Sequence, residues 1–195
     1  MPRRVLALEI TDADVKAAAL ETTFRDHRVT GLYQQPLSAA SGSKGEQIRR
    51  FLDQHELDGD TVLSALPGDC VTWRTFFLPF RDRKRLAQTI PFELEGQVPF
   101  GLDESVVDYQ IIRRDRSGTS VLAALVRKQD LERHLELLQT AGLDPKVVDI
   151  APLAALNILS LVPDLPPTFA FVDVGVLHVT VALFRNGELA GLRAL

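Results

Sequence analysis

Near the start of the chain, Ala7-Leu8-Glu9-Ile10-Thr11 precedes Val15-Lys16-Ala17-Ala18-Ala19-Leu20; near its end, Phe171-Val172-Asp173-Val174-Gly175 precedes Val179-Thr180-Val181-Ala182-Leu183-Phe184. The two pairs superpose without a gap, and an acidic residue closes the first run in each. Apolar alternation broken by polar turn residues reads as a β-hairpin. Short internal matches between hairpins also arise by coincidence, but we read this one as a duplication, giving two related lobes that each begin with an acidic hairpin loop. Such a pair of loops suits the phosphates of a nucleotide, because the carboxylate can hold a hydrated metal and glycine lets backbone N–H groups approach.

Outward from the first hairpin, the pattern predicts a three-stranded meander over residues 5–10, 15–22 and 28–34. A Ser/Gly-rich loop over 38–45 leads into a short amphipathic helix carrying Ile48, Phe51 and Leu52, then a strand over 61–66. A second unit opens with a β-branched and aromatic strand over 71–78. Asp82 caps the next helix, whose Leu86, Ile90 and Leu94 share one face and which Pro91 should kink. Strands over 106–113 and 120–126 should pair antiparallel around Asp115-Arg116-Ser117-Gly118. Leu131, His134, Leu135 and Leu138 mark a helix that Gly142 stops. A short strand over 146–150 follows, then a helix from Pro152 to residue 161. The closing meander covers 168–174, 176–184 and 188–195, with Asn186-Gly187 as a hairpin signal. The domain boundaries expected are 1–68 for the first lobe, 69–150 for an inserted α/β subdomain, 151–167 for a connecting helix and 168–195 for the start of a second lobe.

The composition is 46% hydrophobic and 25% charged, that of a folding globular chain. A net charge of −4, with both signs mixed along the 195 residues, argues against a nucleic acid partner. The single Cys70 has no ligand at metal spacing, so the expectation is no metal. No signal peptide or run long enough to cross a bilayer is expected, which places the chain in the cytosol. His27, His55, His134 and His178 stand near no nucleophile motif, and Glu93 and Glu95 point in different directions on their helix, so no catalytic residue is predicted.

The ordered motifs resemble the actin-like family of PilM, of type IV pilus assembly, and GspL, its type II secretion relative. Glu9-Ile10-Thr11-Asp12-Ala13-Asp14-Val15-Lys16 resembles the family's opening Asp-Ile-Gly-Ser-Ser loop and the Val-Lys after it. Leu78-Pro79-Phe80, Ile90-Pro91-Phe92-Glu93-Leu94-Glu95, Val98-Pro99-Phe100, Asp103-Glu104 and Asp108-Tyr109-Gln110 look like its inserted subdomain. Ala141-Gly142-Leu143 and Val147-Val148-Asp149 continue the match, and Val172-Asp173-Val174-Gly175 with Asn186-Gly187 resembles the second phosphate hairpin. The resemblance implies an α/β, actin-like (ribonuclease H-like) fold with an α+β subdomain inserted, truncated so that only the start of the second lobe is present. It departs at Glu9, where active members have Asp, and at Thr11, where they have Gly; a β-branched residue disfavours the left-handed conformation. The first phosphate loop is therefore expected to be degenerate. The helix with Pro91 looks more like GspL, and Val98-Pro99-Phe100 leans toward PilM.

The nucleotide-binding candidates are accordingly Glu9, Thr11, Lys16, Asp173 and Gly175, the last two weighed against their plain role as turn formers. Arg81, Arg83 and Arg85, with Lys84, form either a solvated helix start or a contact for an acidic partner; they oppose the helix dipole. Pro99 and Phe100 form an apolar loop, either tucked into its own subdomain or anchoring a partner. The family resemblance implies a non-catalytic scaffold at the bacterial inner membrane, docking the secretion or pilus assembly ATPase and a PilN- or GspM-like inner-membrane protein. It implies no cofactor, ATP with magnesium being the one a full-length protein would take. The competing reading is an ATP-binding actin-like switch or ATPase, as in FtsA. Residues 168–195, as an uncovered meander, should pack on the first lobe or pair with a second copy.

Overall fold

The computed structural model describes every residue except Met1, Pro99, residues 176–178 and Leu195. In chain order the first elements are β1 Arg3–Ile10, β2 Asp14–Thr22, β3 His27–Pro36, α1 Lys44–Gln54 and β4 Thr61–Leu66. The middle of the chain holds β5 Val71–Leu78, α2 Arg83–Leu94, β6 Ser105–Arg114, β7 Thr119–Arg127, α3 Lys128–Thr140 and β8 Val147–Ile150. The last are α4 Ala151–Leu156, β9 Thr168–Val174, β10 Val179–Arg185 and β11 Glu188–Ala194. The helix expected through residue 161 is α-helical only to Leu156 and continues as a 3-10 turn over Asn157–Leu161.

The chain divides into two units. The first, Met1–Pro67 with Leu131–Ala155, holds a five-stranded sheet in the order β3-β2-β1-β4-β8. Strand alternation sends Leu6, Leu8, Ile10, Val15 and Ala17 to one face, where Ile48, Phe51 and Leu52 of α1 and Leu138 of α3 cover them. Ser43 caps α1 in a reciprocal box with Glu46. Gly45 lets α1 approach α3, since a Cβ there would stand 2.5 Å from Cγ2 of Thr140.

The boundary expected at residue 150 moves to Asp130, because α3 and β8 belong to the first unit. β8 pairs in parallel with β4, Leu63 opposite Val147 and Ala65 opposite Asp149, and Lys146 N–H donates to the Val62 carbonyl at 2.8 Å. A parallel neighbour is reached through a crossover helix, here α3, and no turn residue marks it in the sequence.

The second unit, Gly68–Asp130 with Leu156–Leu195, holds a sheet in the order β5-β7-β6 and another in the order β11-β10-β9. α2 buries Leu86, Ile90 and Leu94 against Leu78, Val121, Ala123 and Leu125. Within this unit Arg113 of β6 pairs with Glu188 of β11 at 3.6 Å, and Trp73 and Thr75 of β5 line a cavity with Val181, Leu183 and Leu192. The meander 168–195 is thus grouped with the inserted sheet, not with the first lobe.

The first and last ribbons share more than alternation. Ile10 opposes Val15 in β1/β2 and Val174 opposes Val179 in β9/β10, the positions that the gapless superposition equates. The register then slips between Ala19 and Leu20 in β2 and between Leu183 and Phe184 in β10, again equivalent positions. In both cases the unpaired extra residue lies on the third strand, Thr30 or Ala190, and a glycine follows, Gly31 or Gly191. Apolar alternation alone does not place a bulge, so a matched bulge supports common descent of the two ribbons.

Candidate functional site

Glu9 and Lys16 face each other across β1/β2, with Nζ 3.4 Å from Oε2 and both side chains half-exposed. Lys16 is therefore already paired with a carboxylate. At the tip, the Thr11 hydroxyl accepts from the N–H groups of Ala13 at 3.1 Å and Asp14 at 3.0 Å and donates to Oδ1 of Asp14 at 2.6 Å. Thr11 N–H donates to the Asp14 carbonyl at 2.9 Å. Two donors that a phosphate loop would offer to a ligand thus serve the loop's own hydroxyl. Thr11 is not among the residues with positive φ, so the turn closes without the left-handed conformation that a β-branched side chain resists. Asp14 is buried and also accepts from Nε2 of Gln34 at 2.6 Å, while Asp12 pairs with Lys44. Both lysines near the tip, Lys16 and Lys44, are thus engaged by carboxylates, which offsets the charge they could offer a phosphate.

Asp173 and Gly175 hold the equivalent places in the sister hairpin of the second unit, both exposed, with Asp173 opposite the buried Thr180. Residues 176–178, which complete that loop and include His178, lie outside the described residues. The structure therefore gathers Glu9, Thr11 and Lys16 into one hairpin and places Asp173 and Gly175 in the other.

Arg81, Arg83 and Arg85 are exposed at the start of α2. Asp82 caps this helix by accepting from Arg85 N–H at 2.9 Å, and the Arg85 guanidinium lies 4.5 Å above the Phe80 ring. Phe100 is half-buried, with the Arg127 guanidinium 5.7 Å from its ring, so it leans on its own unit. Pro99 lies outside the described residues.

Two features escape the sequence reading. His134 of α3 and Ser64 of β4, both buried, share a hydrogen bond of 2.8 Å between Nε2 and Oγ. Burial holds the imidazole below its ordinary pKa. The other is a groove of about 620 Å³ in the first unit, on the sheet face opposite the α1/α3 core. Ala7, Ala18 and Ala65 line it together with Leu32, Leu63 and Val147 of the sheet and Ala151, Ala154 and Ala155 from α4 and its start. Its polar lining includes Glu9, Lys16, Gln34 and Asp149. A signal for it lies in Ala17-Ala18-Ala19, which is apolar at both strand parities, as a strand covered on two faces would be. Small residues let a backbone come close, and the groove's size falls in the range of ligand and peptide sites. Ser64 is also in the lining, but its buried hydroxyl is turned to His134 of α3 on the core side of the sheet, so what the groove offers is an apolar bed.

Among the described residues, no three His, Cys, Asp or Glu side chains gather as a metal site. No described helix is long and apolar enough to cross a membrane.

The model of the type IV pilus assembly protein PilM family matches residues 9–194. Type II secretion system protein L of Dickeya chrysanthemi is 31% identical over 114 residues, which is 58% of this chain and 27% of that protein. Among solved structures, a chain of the PilM-PilN type IV pilus biogenesis complex matches 98% of this chain with a TM-score of 0.85 and 23% identity; the match covers 61% of that chain. The cytoplasmic domain of EpsL, an inner membrane component of the type II secretion system of Vibrio cholerae, matches 98% with a TM-score of 0.67 and 14% identity, covering 71% of that chain. A Bacteroides thetaiotaomicron protein with an actin-like ATPase fold and unknown function matches 99%, with a TM-score of 0.57 and 9% identity. The chain thus spans about a quarter of the curated relative and under two thirds of the PilM chain. These likenesses establish an actin-like α/β fold. With a family match over almost its whole length, the chain belongs to the PilM family of type IV pilus assembly proteins, to which protein L of type II secretion is related.

Proposed function

We propose that this chain is a non-catalytic scaffold of a type II secretion or type IV pilus platform. It works at the inner face of the bacterial inner membrane, docking the cytosolic tail of a PilN- or GspM-like partner and the assembly ATPase. The observation that carries the reading is the pairing of a self-closed first phosphate hairpin with an open apolar groove on the same sheet. The family match and the likeness to a PilM chain solved with PilN support a membrane partner of that kind. The groove suits the apolar side of such a tail, and Gln34 and Asp149 in its lining are the groups that would read its polar side.

The test is fluorescence anisotropy with a labelled synthetic peptide of the partner's cytosolic tail, added to the full-length protein. Binding in roughly the micromolar range, about −8 kcal/mol, is expected. Leu32→Glu, at a groove residue 76% exposed and so tolerant of substitution, should weaken it at least about tenfold. Equal binding by the wild type and this variant would remove the groove from the reading. The rival, an ATP-dependent switch, draws on Asp173 and Gly175, since the second hairpin keeps the Asp and Gly that the first has replaced with Glu9 and Thr11.

A further inference from the structure

α2 carries charge in an arrangement that the helix itself does not use. Leu86, Ile90 and Leu94 are buried against their own unit, so the opposite face presents Lys84, Arg85, Gln88, Phe92 and Glu95, all exposed. Bases occupy the first turn, with no acid among them, and the last turn has no base. Glu93 stands in that last turn and Glu95 is the C-cap. Apart from the Asp82 cap, the charges at both ends oppose the macrodipole, which favours acids at the start and bases at the end. Nor do neighbours along the helix compensate. Three and four residues after Lys84 stand Ala87 and Gln88, and three and four before Glu95 stand Phe92 and Pro91. Between the charged ends, Phe92 is 73% exposed.

We propose that this face of α2 docks antiparallel against the same face of a second copy of the chain. A two-fold contact requires that a residue meeting a second residue be met by it in return. In the antiparallel arrangement Lys84 of each copy meets Glu95 of the other, and Phe92 of each lies over the stem of Gln88 near the axis. A parallel arrangement sets like charges together. The charge pattern selects the occupant: a face of one sign calls for a foreign surface of the other, whereas a strip basic at one end, apolar in the middle and acidic at the other complements itself. The helix has 12 residues, so the contact falls below the roughly 800 Å² per partner of a standard interface, and the dimer is weak and salt-sensitive. The contact uses the second unit's surface alone and stands apart from tail docking.

Sedimentation velocity of the full-length protein over a concentration series tests it, at low salt and at roughly 0.5 M salt. The wild type should dimerise at roughly tens to hundreds of micromolar and lose the dimer at high salt. Lys84→Glu and Glu95→Lys should each weaken association about tenfold or more. The double variant, with both charges exchanged in one chain, should recover it to within about threefold of wild type, a restoration that general damage to the fold does not produce. A double variant no better than the singles, or singles that associate like the wild type, overturns the proposal. So does a wild type that stays monomeric.

Discussion

At the residue scale, Thr11 decides the chemistry of the first hairpin. Its hydroxyl binds two backbone donors and one carboxylate oxygen at once, an arrangement available to Ser or Thr and closed to Gly. Thr11→Val keeps the shape and strips those bonds, leaving the N–H groups of Ala13 and Asp14 and the buried Asp14 carboxylate short of a partner. We expect a loss of about 1–3 kcal/mol in urea unfolding. The departures at Glu9 and Thr11 are legible in the sequence because a family pattern exists to compare them with. The bonding that makes Thr11 a closing group is not, since it depends on Asp14 being turned inward and held by Gln34, twenty residues further along.

At the element scale, α3 is fastened to β4 by the His134–Ser64 hydrogen bond under the sheet. Burial lowers the folded-state pKa of His134, so the unfolded chain takes up a proton first as the pH falls through about 6.5. The contribution of the neutral, buried imidazole is therefore complete above that pH and is lost as the pH drops toward the depressed folded value. Thermal melts between roughly pH 7 and pH 5 should show the wild type losing stability faster than His134→Gln, which keeps a polar partner for Ser64 and does not titrate. Equal slopes would mean that the imidazole protonates without penalty. Helices and antiparallel strands are readable within a few residues, because capping at Asp82, the Gly142 stop and the Asn186-Gly187 turn are local signals. β8 reads from sequence as part of the wrong body because its parallel place beside β4 is set by a crossover. The groove on the far face goes unread because alanine shows little preference for one side of a strand.

At the scale of the whole chain, the sister ribbons are the feature on which the fold turns. Their shared register and matched bulge support the duplication read from the two ends of the sequence; the actin-like fold itself is legible only through the family resemblance. The two hairpins have since diverged, with Glu9 and Thr11 in one at the positions that Asp173 and Gly175 hold in the other. If the protein is a scaffold, that divergence separates a docking surface from a nucleotide switch, and isothermal titration calorimetry of the full-length protein with Mg-ATP measures it directly. No binding heat is expected up to about 1 mM nucleotide; a dissociation constant below roughly that value, corresponding to more than about 4 kcal/mol, would contradict the scaffold reading.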